Sequence, residues 1–510
     1  LSRYDLLIIG GGINGLGIAA DAGARGLSVL LAEKGDFGGG TTSASSRLIH
    51  GGLRYLRYGQ VDLVRESLRE RGILTRQRPH LVRPIRLLIP AFRTLPPPGW
   101  VVGAGLLLYD LLAHDPLFPR SRKLSPGETR EHEPGLIGDE LTGGFLYPDA
   151  QVEFPERLCI ELMREALDAG GEARNHTRVV ALRQRDGHVQ GAALRDELTG
   201  KEWEVDAGLV INAAGPWVDA VNRLLTGSGR PPVPRLIGGT WGTHLVLPAR
   251  PEGPRGPLYA TARKDGRPFF LLPWDGRLLV GTTDVPFEGD PDALLIQEWE
   301  LDYLLAETNR LFPGCRYQAS EIQWTTIGVR PLPASDRDAG AITRRHFLVD
   351  HGRQHGIRGL GSVVGGKLTT YRSLAEVVVD WAVRSLPPSA SAAPCSTRSP
   401  GEALSLEEMQ RQAAEAARGL GLGEQAAQRL VRLYGPRYAE VLEYVARQPG
   451  LGRSLGSGTA ALEAEVVHAV EREGARTVED ILLRRLMLLP PTDADREAVR
   501  RVCKEQSLKV

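Results

Sequence analysis

Apolar and polar positions along the chain group into recognisable elements from the start. Tyr4 to Ile9 is a continuous apolar run, the pattern of a strand buried on both faces of a parallel sheet. A glycine-rich turn follows, then small and apolar residues from Leu16 to Ala24 with helical character. A second apolar run from Leu27 to Ala32 ends at Glu33. The order strand, turn, helix, strand, acid predicts the opening half of a doubly wound α/β unit. From Phe37 to Leu56 the pattern does not return to a regular third strand, and small hydroxyl and glycine residues dominate. Further apolar runs precede Asn212 and Thr282, and Leu368 opens a segment with helical spacing. Residues 386–403 read as a Pro/Ser/Ala linker. Beyond it Ser405 and Glu408 have the spacing of a capping box, and the chain to Val510 reads as polar helices. There are no internal repeats.

A length of 510 residues fits about two to four domains. The net charge of +1 provides no overall field for nucleic acid. The four cysteines, Cys159, Cys315, Cys395 and Cys503, have no metal-binding or redox-dithiol spacing. They fit a reducing cytoplasm, and no signal segment is read before the first strand. Of 63 Lys and Arg residues only seven are Lys. Between 47 and 93 eleven arginines meet three acids, a local excess of eight positive charges. That segment, with the apolar runs Pro84–Phe92 and Trp100–Leu112, suggests a face for an anionic membrane surface. The runs have interfacial rather than spanning length.

The chemistry of the opening turn follows from its glycines. Gly10 permits the tight turn, Gly12 allows backbone to approach a diphosphate, and Gly15 allows the helix to pack closely. Glu33, 18 residues after Gly15, is placed to accept from a ribose diol. This predicts a dinucleotide without choosing between NAD and FAD.

The choice comes from longer segments. YDLLIIGGGINGLGIAADAGARGLSVLLAEKGDF, SSRLIHGGLRYL, INAAGPWVD, GTTDV, GVRPL, AITR and GGKLTTYR occur in this order from residue 4 to about 374. With them the chain resembles the FAD-dependent glycerol-3-phosphate dehydrogenases. Arg47 stands where many members have Lys or Asn, and the segment before His244 is longer than usual.

The resemblance implies an α/β fold: a Rossmann-like FAD domain from 1–75, 143–230 and 325–385, interleaved with an antiparallel-sheet substrate domain from 76–142 and 231–324. A helical C-terminal domain would occupy 404–510. It implies oxidation of sn-glycerol 3-phosphate to dihydroxyacetone phosphate, with hydride passing to FAD and electrons to a membrane quinone. FAD would be held by Gly10, Gly12, Asn14, Gly15, Glu33, Thr42, Ser45, Ser46, Leu48, His50, Gly51, Gly52, Val180, Ala214, Gly215, Gly366, Lys367, Leu368 and Thr369. Substrate would meet Arg54, Tyr55, Thr282, Arg330, Arg344 and Lys367. His50 and His244 are the candidate bases, and Arg330 a stabiliser of alkoxide character, because a guanidinium does not readily give up a proton. No metal is expected. The implied location is cytoplasmic, peripheral to the inner face of the membrane, and a second copy of the chain is among the expected partners. An oxidase passing electrons to oxygen is the nearest alternative. A non-catalytic FAD-binding redox sensor or scaffold is the alternative of another class.

Overall fold

The computed structural model describes residues 2–113, 115–225, 233–334, 345–387, 404–456 and 458–510. Two sheets carry the larger part of it. The first runs in the order Phe347–Asp350, Leu360–Val364, Glu202–Asn212, Arg3–Ile9, Val29–Ala32, Glu172–Arg174. Its inner pairs are parallel, with Ile9 opposite both Asn212 and Ala32, and Asn212 opposite Ser362. This register brings the carboxyl ends of strands from distant sequence to one edge, where ligands bind in such sheets. The apolar run of the first strand buries its last four residues completely or nearly so. Helices Ile13–Ala24, Pro155–Asp168 and Tyr371–Ser385 cover one face through a shared apolar core.

The second sheet is antiparallel apart from the pairing of Leu258–Thr261 with Val82–Phe92. Leu141–Val152 pairs along nearly the whole of Val82–Phe92, and Trp324–Arg330 pairs with Thr240–Pro248. The divisions expected at 143 and 325 therefore fall within strands of the second sheet. Each of those strands leads from one sheet towards the other, and composition does not change along it. Pro84–Phe92, read as an interfacial anchor, is instead an inner strand, with Leu87 to Pro90 buried.

The C-terminal residues form helices, including Leu406–Gly419, Glu424–Tyr434, Tyr438–Arg447, Glu463–Glu471 and Asp493–Glu505. The Ser405 hydroxyl caps the first by accepting from the Glu408 N–H at 3.1 Å. The Glu408 carboxylate does not complete the box, because it accepts from Arg411 and Gln412. Buried charge joins these helices to the first sheet's layer. Arg157 donates two bonds of 2.7 Å to the Glu473 carboxylate, and Arg485 pairs with Asp36.

The arginine-rich segment is not a free cationic face. Arg47 makes a bidentate pair with Glu156, Arg71 is buried on Asp149, Arg76 meets Asp115, and Arg78 meets Glu161 and Glu165. Those acids all lie outside residues 47–93, so local counting could not find them. The helix Gly99–Leu112 buries Val102, Leu106 and Tyr109 but leaves Trp100 77%, Leu107 65% and Leu111 63% exposed. No helix of the described residues is long and apolar enough to cross a membrane.

Candidate active site

The loops at the strand ends enclose a cavity of about 850 Å³ that extends from the first sheet to the second. Gly10 begins it with φ +107°, a conformation that favours glycine. A Cβ at Gly15 would lie 1.9 Å from the Gly10 carbonyl oxygen. Gly15 is therefore required for helix packing and does not itself line the cavity. Gly12 does line it and caps the helix Ile13–Ala24, whose first turn carries no acid. The Glu33 carboxylate accepts from the Gly11 and Gly35 N–H groups at 2.6 and 2.8 Å. Burial pushes its pKa up against those bonds. Val180, Ala214 and Gly215 line the same end. A helix N-terminus without an acid, a fixed carboxylate and a cradle of small residues fit the ADP half of a dinucleotide.

Towards the second sheet the lining continues through Asn14, Thr42, Ser45, Ser46, Leu48, His50, Gly366, Lys367, Leu368 and Thr369. Tertiary bonds fix these loops. The Thr42 hydroxyl accepts from the Ile13 N–H at 3.2 Å, and the Thr369 hydroxyl accepts from the His50 N–H at 3.1 Å. Thr41 donates to the Val329 carbonyl at 2.7 Å, tying the serine-rich loop to the second sheet. Gly51 and Gly52 lie behind the lining. The Gly51 N–H donates to the Tyr109 hydroxyl at 2.9 Å and to Asp149 at 3.2 Å. The buried Arg71–Asp149–Tyr109 group thus holds the turn after His50.

The expected substrate residues gather partly. Tyr55, Thr282, Arg330, Lys367 and both candidate bases line the cavity. Lys367 Nζ lies 4.0 Å from the centre of the Tyr55 ring and donates to the Ser67 hydroxyl at 3.2 Å. Arg330 is anchored by Thr240, the Trp241 carbonyl, Asp284, Thr282 and the Thr283 carbonyl, at 2.9 to 3.1 Å. Its charge is shared with Asp284, which fixes the guanidinium plane. His244 Nε2 lies 2.8 Å from the Ser46 hydroxyl, while Nδ1 is buried without a hydrogen-bond partner among the described residues. Burial, then the charges of Arg330 and Arg47, pull its pKa down to about 3. Arg54 does not line the cavity, and Arg344 lies outside the described residues.

Several lining residues were not among the expected site residues. Trp217 stacks under Lys34 at 4.0 Å, Phe270 comes from the second sheet, and Arg484 comes from the C-terminal helices. Trp217 ends the segment INAAGPW without itself having marked a site, whereas Phe270 and Arg484 are remote in sequence from every motif, so only folding brings them to the cavity. No group of metal-binding side chains occurs among the described residues.

Known proteins resemble this chain over about nine-tenths of their own length. The profile of the FAD dependent oxidoreductases matches residues 5–372, and that of the C-terminal domain of alpha-glycerophosphate oxidase matches 401–507. A glycerol-3-phosphate dehydrogenase of Synechocystis is 42% identical over 503 residues, covering 96% of this chain and 90% of its own. An aerobic glycerol-3-phosphate dehydrogenase of Escherichia coli is 36% identical, covering 95% and 94%. The crystal structure of the glycerol-3-phosphate dehydrogenase from Bacillus halodurans complexed with FAD superposes with a TM-score of 0.76 at 29% identity, covering 99% of this chain and 91% of that one. With the cofactor cradle, both profiles and these relatives in agreement over nearly all of its length, the chain belongs to the FAD-dependent glycerol-3-phosphate dehydrogenase family.

Proposed function

We propose that this protein oxidises sn-glycerol 3-phosphate at C2 to dihydroxyacetone phosphate and delivers the electrons to a membrane quinone. The observation that carries the reading is one cavity lined by the glycine turn at one end and by Tyr55, His244, Thr282, Arg330 and Lys367 at the other. FAD supplies the hydride acceptor. Gly12, Glu33, Val180, Ala214 and Gly215 would hold its ADP half. Thr42, Ser45, Ser46, Leu48, His50 and residues 366–369 would hold the flavin half.

Lys367 and Arg330 provide positive charge for the phosphate dianion, and the Thr282 hydroxyl a hydrogen bond. Arg344 is kept as a further phosphate ligand on the strength of its motif. His244, its ring held through Nε2 by the Ser46 hydroxyl, takes the C2 hydroxyl proton. Arg330 stabilises the developing alkoxide. His50 is the alternative base, its backbone clamped by Thr369.

The quinone assignment is supported by the exposed apolar side of Gly99–Leu112. That helix packs on Leu53–Tyr58 and Val61–Gln77, which expose Arg57, Arg65 and Arg69. An apolar face beside arginines suits the headgroup region of an anionic leaflet, and hence peripheral attachment to the inner face of the cell membrane. The match to a domain named for an oxidase favours a second reading, in which oxygen is the acceptor. Product analysis separates the two. Dihydroxyacetone phosphate should form in step with reduction of a short-chain quinone analogue. Equal turnover with oxygen and stoichiometric peroxide would replace quinone by oxygen, and no dihydroxyacetone phosphate under either condition would overturn the proposal.

A further inference from the structure

Arg484 enters the cofactor cavity from the C-terminal helices, about 450 residues along the chain from the loop it faces. It belongs to the turn Ile481–Arg485, and its side chain is 20% exposed. A Cβ at Gly39 would lie 3.0 Å from its Nη2. Among the described residues it forms an ion pair with Asp36, 3.7 Å from Nε. That carboxylate is already engaged by the adjacent, fully buried Arg485 and by Asn175. The Arg484 guanidinium makes no hydrogen bond to a described residue, and its Nε is buried without a hydrogen-bond partner among them.

Other cations around the same end are differently placed. Lys34 is held by Asp292, Arg178 by Glu197 and Arg47 by Glu156. Arg484 faces the cavity opposite Gly39, on the loop that follows Glu33, and makes no hydrogen bond to a described residue. A guanidinium fork with no hydrogen bond to a described residue, on the cavity that also holds the carboxylate suited to a ribose, suits the oxygens of a ribosyl diphosphate.

We propose that Arg484 binds the ADP half of the cofactor, making the C-terminal domain part of the cofactor site. The inference rests on the assignment of FAD to this cavity. It implies that cofactor and domain docking support each other, because a ligand that touches both layers binds better when they are joined. The C-terminal helices would then be required for holding FAD as well as for packing.

The test uses holoenzyme and two single variants. Arg484→Gln removes the charge and the fork. Arg476→Gln weakens the same domain junction elsewhere, where Arg476 pairs with Asp196 at 2.8 Å and does not line the cavity. FAD affinity is read from flavin released on dilution, and the ADP end is probed separately by competition with ADP. Arg484→Gln should weaken FAD about tenfold or more, and ADP by the same factor, as expected for loss of a charge-assisted contact. Arg476→Gln should leave both unchanged. Wild-type affinity for FAD and ADP in Arg484→Gln would overturn the proposal. So would an equal loss in Arg476→Gln, since that would trace the effect to docking alone. If Arg484→Gln is poorly folded, Arg484→Lys keeps the charge without the fork. It should then show a smaller loss, equal for FAD and ADP, and no loss would overturn the proposal. Wild-type protein that binds neither probe would overturn the FAD assignment itself, and this proposal with it.

Discussion

Replacing His244 by asparagine tests the proton-transfer step in isolation. The substitution removes a basic nitrogen from a ring held 2.8 Å from Ser46, and asparagine can still bond to that hydroxyl. In the free protein the ring is neutral across the working pH range, because burial and then Arg330 and Arg47 hold its pKa at about 3. Such a base is about 5 kcal/mol short of one matched to pH 7. The substrate itself supplies the remedy. At an effective dielectric constant of about 20, a phosphate charge placed about 8 Å from the ring would contribute about 2 kcal/mol, so a dianion at that distance would recover about 4 kcal/mol. Anaerobic stopped-flow reduction separates the limiting rate from substrate affinity. His244→Asn should lower the limiting rate about 10²–10⁴-fold with little change in affinity. With glycerol, which lacks the phosphate, the same substitution should cost less than about tenfold, because wild type has then lost the charge that makes His244 basic. A His244→Asn rate within about threefold of wild type on the phosphorylated substrate would refute the assignment and shift attention to His50. The lowered pKa has a stability consequence of definite sign. Below its ordinary value of 6.5 the unfolded ring binds a proton that the native ring does not. The stability is therefore intact above that value and is lost as pH falls towards 3, by about 2 kcal/mol at pH 5. His244→Asn should lack this part of the acid sensitivity in denaturant unfolding.

Other expected outcomes follow from single contacts. Gly12→Ala has room in the protein, its Cβ 3.5 Å from the Thr42 hydroxyl, whereas Gly15→Ala collides with the Gly10 carbonyl. Gly12→Ala should therefore keep the melting temperature of the apoprotein while losing FAD affinity. Gly15→Ala should lose both, with about 1–3 kcal/mol of strain; equal behaviour of the two would contradict the geometry. Leu107→Asp with Leu111→Asp should weaken binding to anionic vesicles at least about tenfold, since each exposed leucine offers about 1.5–3 kcal/mol on burial. Unchanged co-sedimentation would remove the apolar side of Gly99–Leu112 from the account. Glu473→Gln leaves the buried Arg157 charge unpaired and should cost about 3–5 kcal/mol in unfolding measurements. Burial opposes ionisation of Glu473, but the Arg157 charge and the His468 and Arg157 hydrogen bonds hold its pKa below the usual carboxylate range. Its stabilisation is thus present above pH 4.5 and lost on acidification below it.

What could be read in the sequence was whatever local order encodes. The strand–turn–helix at Gly10 to Gly15 is such a case, because each glycine answers a contact within a few residues or on the neighbouring strand. The acid at Glu33 follows the same logic. The motifs around His50, Arg330 and Lys367 named residues that meet in the cavity, yet their sequences hold no distance information. The arginine-rich segment illustrates the limit most clearly. Arg47, Arg71 and Arg78 look like surface charge until Glu156, Asp149 and Glu161 arrive from remote strands and helices. Arg54 shares a motif with Tyr55, but only Tyr55 lines the cavity, since side chains one residue apart on a short helical turn point in different directions. Arg484 had no signal at all, because its role depends on how the C-terminal helices dock.

The central claim is that one cavity joins FAD to a phosphorylated polyol. Anaerobic mixing of the holoenzyme with sn-glycerol 3-phosphate tests it most directly, followed by the oxidised-flavin absorbance and by product analysis. The flavin should bleach and one dihydroxyacetone phosphate should form per flavin, with glycerol far less effective at equal concentration. A flavin that stays oxidised with sn-glycerol 3-phosphate, or that is reduced as readily by glycerol, would contradict it.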